Sequence, residues 1–138
     1  MADIAKLYTP EVLGLATGLS GYLWDDSLPL KGEGRSKTCG SAIALGFALD
    51  AIGQIDRIAV KSQACAIGQA AAAIFAAQAA GKGCAEISAS RDQIIAWLEA
   101  GGELPDWPGL DAIAAARDFP ARHAAILLPW RTASEMLP

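Results

Sequence analysis

Alternating large and small side chains predict a β-strand in the middle of the chain. Over residues 41–50, every second position is a large apolar residue and the positions between them are alanine or glycine. This period of two places the two kinds of side chain on opposite faces of a strand. The large residues are Ile43, Leu45, Phe47 and Leu49. The small face predicts that another part of the chain lies close against it.

A second strand is predicted directly afterwards. Ile55, Ile58 and Val60 are spaced among charged residues and follow a turn at residues 50–54. Two such runs joined by a short polar turn are typical of a β-hairpin. One further strand is predicted around residues 28–31, inside a polar, glycine-containing connection over 25–37.

Helical patterns occupy the rest of the sequence. The alanine-rich stretch 65–80 predicts a helix that ends at Gly81, and its apolar residues on every face predict packing on several sides. Ser90 and Gln93 form a capping-box pattern that predicts the start of the next helix.

Three less regular helices are also predicted. They cover residues 4–16, residues 111–117 and a last segment that runs from Pro120 toward Met136. Pro129 lies inside that last segment, and because proline removes a helical N–H it is expected to kink or break the helix.

The element order predicts an α+β fold. A small antiparallel sheet of about three strands, centred on the hairpin, is expected to pack against several helices. The chain has 138 residues, of which 53% are hydrophobic, so residues 1–138 are interpreted as one folded domain with a sizeable core.

Charge and hydropathy exclude several classes of function. The net charge is −4 and the basic residues are scattered, which argues against nucleic-acid binding. The uncharged run 62–81 is mostly alanine with several glutamines, so it is interpreted as a buried helix rather than a membrane span. The first residues lack the pattern of a signal peptide. A cytoplasmic protein that binds no membrane is therefore expected.

The cysteines are the main candidates for functional residues. There are three, an odd number that favours free thiols or metal ligands over a disulfide framework. Cys39 starts the first hairpin strand and Cys65 lies between the return strand and the alanine-rich helix. Both ends of a hairpin reach the same edge of a sheet, so the two sulfurs are predicted to meet there. A helix start stabilises a thiolate, the form that binds a metal or accepts sulfur. The alternative is that both are small buried hydrophobic residues.

His123 and Cys84 are weaker candidates. His123 is the only histidine, and an imidazole complements two thiolates as a metal ligand, although a lone histidine is more often packed or solvated. Cys84 follows the long helix and is interpreted as structural. The sequence contains neither the nucleophile elbow of a serine hydrolase nor a glycine-rich phosphate loop, which argues against hydrolysis and nucleotide binding.

The cysteine motifs resemble those of the NifU, IscU and SufU family of iron–sulfur cluster assembly scaffolds. The resemblance spans residues 7–133, and its long interval from Cys65 to Pro120 is closer to the SufU branch than to the IscU branch. The segments that carry it are 38–41, 64–68, 81–82 and 120–122, with Leu128 and Trp130.

The resemblance implies a carrier rather than an enzyme. It implies that the chain binds an iron–sulfur cluster, iron or zinc through Cys39 and Cys65, with His123 and Ser41 as further ligands, and passes this cargo on. A cysteine desulfurase and other cluster-assembly proteins are the implied partners. A monomer or a weak dimer is expected.

Two departures from the family pattern leave alternatives open. Ser41 stands where the family has an aspartate, and the third family cysteine is absent. Alignment on Pro120, Arg122 and Trp130 places Ala125 at the position of that cysteine, whereas alignment on His123 places Ala124 there. The alternatives are a paralogue without metal that acts as an interaction module, and a thiol sulfurtransferase that uses Cys65.

Overall fold

The computed structural model describes residues 7–37 and 40–138, and in these residues it shows a three-stranded antiparallel sheet in the order β1–β2–β3. The strands are β1 (Leu30–Arg35), β2 (Ala42–Leu49) and β3 (Ile55–Gln63). The helices are α1 (Pro10–Thr17), α2 (Ala66–Gln78), α3 (Cys84–Glu99) and α4 (His123–Met136), with 3-10 segments at Gly18–Gly21, Leu110–Asp118 and Pro120–Arg122. This arrangement confirms the predicted α+β class.

The central hairpin has the predicted strands and turn. Ala42 lies opposite Gln63, and the antiparallel register continues along the ladder to a β-bulge between Ala48 and Leu49. The carboxylate of Asp50 closes the turn by accepting the backbone N–H groups of residues 52 and 54, each at 3.0 Å. Residues that precede Ala42 and follow Gln63 therefore leave the sheet at the same end.

The inner face of the sheet packs against helices α2 and α4. Leu45 and Phe47 point to this side and are fully buried. Helix α2 lies at the centre of the core, and Ile67 and Phe75 on it are also fully buried. Nine of its residues are buried, which confirms the prediction that this helix is packed on several sides.

The outer face of the sheet is crossed by a segment that we call the strap, residues 22–29. The strap begins at the free edge of β3, where the Val60 N–H donates to the Tyr22 carbonyl at 3.0 Å. It then places Leu28 over Gly46 of β2, so close that a Cβ atom at position 46 would lie 3.1 Å from Leu28 Cδ1. The small face of β2 is therefore covered at this position, as the sequence predicted.

An ion pair fastens the strap to β3. The Asp25 carboxylate lies 2.7 Å from the Arg57 guanidinium. Hydrogen bonds from the hydroxyl and the backbone N–H of Ser27 lower the pKa of the Asp25 carboxyl below its ordinary value, and Arg57 and Lys31 add to this lowering. The carboxylate therefore stays charged, and keeps its partner on β3, to a lower pH than an aspartate with an ordinary pKa would.

Strand β1 lies further along the chain than predicted, at Leu30–Arg35 rather than 28–31. Its two glycines face α4, since a Cβ atom at Gly32 would contact Met136 and one at Gly34 would meet the side chain of Thr132. Helix α4 packs directly on the strand backbone there. The glycines that weakened the strand prediction thus allow this close approach.

The predicted start of α3 at Ser90 is wrong. The helix begins at Cys84, and Ser90 lies within it. Glu86 stabilises the first turn because its carboxylate lies near the positive end of the helix dipole, and Ile87 is fully buried in the core. These residues extend the helix by nearly two turns before the capping-box pattern.

Helix α4 continues through Pro129, which the sequence predicted to kink or break it. Leu128, Pro129 and Trp130 are all buried, so tertiary packing maintains the helix despite the missing hydrogen bond. Since proline has no N–H, the carbonyl of Ala125 lacks its usual helical donor.

The first helix is shorter at its start than predicted. Residues 4–6 lie outside the described residues, and α1 begins at Pro10, with the Thr9 hydroxyl accepting the Val12 N–H at 3.1 Å as its cap. The predicted helix at 111–117 is the 3-10 segment Leu110–Asp118.

An aromatic cluster joins α2, α4 and the segment before the long 3-10 helix. Trp107 stacks on Phe75 with ring centroids 5.6 Å apart, and Trp130 meets both rings edge-on. The indole N–H of Trp107 donates to the Ile74 carbonyl at 2.9 Å. The buried indole N–H of Trp130 has no acceptor within the described part of the chain.

This difference between the two indole N–H groups predicts that replacing each tryptophan by phenylalanine lowers the free energy of unfolding by a different amount. Trp107→Phe should lower the free energy of unfolding about 2 kcal/mol more than Trp130→Phe, because only the first removes a satisfied buried hydrogen bond and the second removes an unsatisfied donor. Urea denaturation of both variants measures the difference. Equal losses would contradict this account of the two indoles.

Candidate metal site at the hairpin end

Cys65 is the best-defined member of the candidate site. It is the N-cap residue of α2, with extended backbone dihedrals, and its thiol makes no capping hydrogen bond within the described residues. The side-chain amide of Gln69 donates to the Ala64 carbonyl at 3.1 Å and fixes the chain just before the helix. The half-buried thiol therefore stands at the N-terminal end of α2.

Cys39 lies outside the described residues, so only its surroundings are placed. The loop that contains it is closed where the Ser36 N–H donates to the Ser41 carbonyl at 2.8 Å. Gly40 has φ +70°, a left-handed conformation that favours glycine. Because Ala42 lies opposite Gln63, this loop and Cys65 extend from the same end of the hairpin, as the sequence predicted.

Ser41 lies at the base of this loop. It is 3% exposed and precedes β2 by one residue, so alternation puts it on the same side as the buried Ile43. A hydroxyl at this position can act as a metal ligand, although it is a weaker one than a carboxylate.

Helix α4 brings Ala125 against the first turn of α2. Ala125 is 2% exposed, and a Cβ atom at Gly68 would lie 3.3 Å from the Ala125 Cβ. Gly68 follows Cys65 by three residues and therefore lies on the same face of α2. Of the two alternative positions for the missing cysteine, position 125 is the one that faces this turn.

The role of Gly68 was missed by the sequence analysis. A Cβ atom at this position would also come within 2.7 Å of the Ala64 Cβ, so a side chain here would separate α2 from α4. The available signal was a glycine one turn after Cys65 in a helix otherwise rich in alanine.

His123 begins α4 on the side that faces α3. Its Nε2 lies 2.8 Å from the Arg117 carbonyl oxygen. Together with Ala124 it lines a groove whose apolar floor includes Leu98 and Leu127. Neither Cys65 nor Ser41 lines this groove, so the structure does not bring His123 together with them.

Cys84 also stands at a helix start, which changes its interpretation. It is the first residue of α3, and its sulfur lies 3.8 Å from both the Ser88 hydroxyl and the Ser134 carbonyl. Proximity to a helix terminus therefore does not by itself distinguish Cys65 from Cys84. What distinguishes Cys65 is its place beside the loop that contains Cys39.

Within residues 7–37 and 40–138, no group of three or more histidine, cysteine or acidic side chains converges on one point as a metal site. In the same residues, no helix combines the length and hydropathy that crossing a bilayer requires.

The fold and this site define a class: an α+β domain in which one end of a three-stranded sheet presents a cysteine-containing loop next to a helix N-terminus. No protein-family model matches the sequence. No curated protein matches it either.

Solved structures do match. A nitrogen-fixing NifU-like protein, N-terminal region, from Brucella abortus has a TM-score of 0.81 and 25% identity, with 96% of this chain and 93% of that chain covered. A putative iron–sulfur cluster assembly scaffold protein for the SUF system from Fervidobacterium islandicum AW-1 has a TM-score of 0.85 and 21% identity, covering 99% of this chain and 100% of that one. A hypothetical protein matches with a TM-score of 0.71 and 23% identity, covering 91% and 95%.

The resemblance inferred from the cysteine motifs is therefore confirmed in structure. The chain has the fold of NifU-like and SufU-like proteins over nearly its whole length.

Proposed function

We propose that this chain is a carrier of the scaffold type that binds an iron–sulfur cluster, with zinc as a substitute, through Cys39 and Cys65. The observation that carries the proposal is the position of Cys65, whose thiol stands at the N-terminus of α2 beside the loop that contains Cys39. The similarity to a NifU-like protein and to a putative SUF-system scaffold supports the choice of cargo.

The site is suited to transfer rather than to permanent storage. Two thiolates supply two of the four ligands that a tetrahedral metal requires, and Ser41 at the base of the loop is the further candidate within the chain, whereas His123 lines the separate groove beside α3. Incomplete coordination by the protein leaves room for a sulfide or for a ligand from a partner. Cargo held this way leaves more readily than cargo in a closed site with four protein ligands.

The partners follow from the same proposal. Sulfur would come from a cysteine desulfurase, and the cluster would pass to other proteins of cluster assembly. The reducing cytoplasm is the compartment proposed, because it keeps the thiols available for metal.

The test is the metal and acid-labile sulfide content of the protein purified without oxygen. We expect bound iron with sulfide, or zinc, in the parent protein, and its loss in Cys39→Ala and Cys65→Ala. Cys84→Ala is the matched control, since Cys84 also starts a helix but lies away from the loop, and it should retain the cargo. A parent protein without metal or sulfide, or equal loss in the control, would contradict the proposal.

One observation favours a second candidate, an interaction module without metal. Ala125 packs against Gly68 where a third thiolate would be needed, so the chain lacks a strong ligand there. The same purification decides between the two, because the module would be folded and free of metal.

A further inference from the structure

The strap covers only part of the outer face of the sheet and leaves a trough beside it. The trough has a volume of about 400 Å³, within the range of ligand-binding clefts. Ala42 and Ala44 of the central strand form its floor. The four residues that form its two walls are Glu33 and Arg35 on β1, and Lys61 and Gln63 on β3.

Basic side chains outnumber acidic ones along the walls of the trough and just beyond the end of β1. Arg35 and Lys61 lie on opposite walls, Lys37 follows just beyond β1, and Glu33 is the one acidic residue that lines the trough. Arg35 and Lys37 form no ion pair with another described residue, and Lys61 lies 5.1 Å above the ring of Trp24. The whole chain has a net charge of −4, so this concentration of basic groups opposes the overall charge.

The trough leads to the candidate metal site. Ala42 on its floor is the first residue of β2 after the loop that contains Cys39, and Gln63 on its wall precedes Cys65 by two residues. A ligand in the trough would therefore lie at the end of the hairpin from which the loop of Cys39 and the segment of Cys65 both extend.

We propose that the trough is a docking site for an acidic, extended segment of a partner protein. The alanine floor admits a main chain, and Arg35 and Lys61 on opposite walls are placed to bind carboxylates on either side of it. The central strand is paired on both sides, so recognition depends on these side chains rather than on a free strand edge. The inference deepens the proposed function by naming the chemistry of the partner, but the docking itself requires no metal.

The probe is a rhodamine-labelled hexaglutamate peptide, titrated with metal-free protein and followed by fluorescence anisotropy at about 0.1 M salt. We expect saturable binding by the parent protein. The double variant Arg35→Glu/Lys61→Glu should bind at least about tenfold more weakly, because two attractive charges become repulsive.

The matched control is Lys31→Glu. Lys31 is on the same strand and the same face as Arg35 but outside the trough, opposite Gly46, which the strap covers. The two residues are about 13 Å apart along the strand, more than the Debye length at this salt concentration. This single reversal should change binding less than twofold.

A second variant tests the shape of the trough without changing its charge. Ala44→Phe would fill the floor between the walls, and because phenylalanine favours strands the sheet should fold normally. We expect it to weaken binding at least as much as the charge reversals.

Three results would overturn the proposal. The first two are no binding of the peptide by the parent protein, and binding that neither the charge reversals nor Ala44→Phe weakens. The third is binding of hexathymidylate that is as tight as that of the peptide and is weakened as much by the same substitutions, which would indicate a general polyanion site. If the protein bound the peptide but contained no metal or sulfide, the docking proposal would stand and the carrier function would fail.

Discussion

We expect Ala125→Cys to raise the affinity of the protein for zinc by about two orders of magnitude and Ala124→Cys to leave it nearly unchanged. Position 125 faces the first turn of α2, and position 124 lines the groove on the α3 side. A four-ligand structural zinc site is worth about 10–16 kcal/mol, so one thiolate contributes about 3 kcal/mol, or about 100-fold in affinity. A competition titration against a chromophoric chelator measures the change.

Two controls make this experiment decisive. His123→Ala should be silent, because the imidazole bonds to the Arg117 carbonyl and lines the groove beside Leu98 of α3, which Cys65 does not line. Cys65→Ala combined with Ala125→Cys should abolish the gain, which links the new thiol to the same site. If both alanine positions gave the same affinity as the parent, α4 would not contribute to a metal site and the carrier proposal would lose its geometric basis.

Gly34→Ala should lower the free energy of unfolding by about 2 kcal/mol, the cost of inserting an atom into a packed interface. A Cβ atom at this position would overlap the hydroxyl of Thr132 and would lie 3.2 Å from Leu128 Cδ1. Both partners belong to buried turns of α4, so the helix would have to move away from β1. Thermal or urea denaturation measures the loss.

Gly32→Ala is the matched control on the same strand. The atoms nearest to its added Cβ belong to the end of the Met136 side chain, which is flexible and can move aside. Its cost should be about 1 kcal/mol lower than that of Gly34→Ala. Removing the obstacle with Thr132→Ala should restore part of the stability lost in Gly34→Ala. Equal costs for the two glycines would argue against the close approach of α4 to β1.

The parts of the fold that were predictable have a strong local signal. The hairpin alternates with period two over many residues, and α2 combines the best helix former with a glycine stop. The start of α3 was missed because Glu86 and Ile87 give a weaker signal than the capping box at Ser90. The continuity of α4 through Pro129 depends on burial by distant elements, which a local pattern does not contain.

The candidate site was predictable to a similar extent. The motif around Cys65 and the hairpin geometry were enough to place Cys65 and the loop of Cys39 at one end of the sheet. The choice between Ala124 and Ala125 required the rotation of α4, which is set by its packing on α2 and by the preceding 3-10 turn. The basic trough was missed because Arg35 and Lys61 are far apart in sequence and become neighbours only across β2.

The β-bulge between Ala48 and Leu49 has a consequence for how this chain can change in evolution. A one-residue insertion or deletion within a ladder transfers every following side chain to the opposite face. Between Ala42 and the bulge such a change would expose the core and displace the loop of Cys39 relative to Cys65. Beyond the bulge, the turn at residues 50–54 lies at the opposite end of the hairpin from the loop of Cys39 and from Cys65, so a change of length there leaves their spacing unaltered. Homologous chains are therefore expected to vary in length at this turn and to conserve the spacing at the cysteine end.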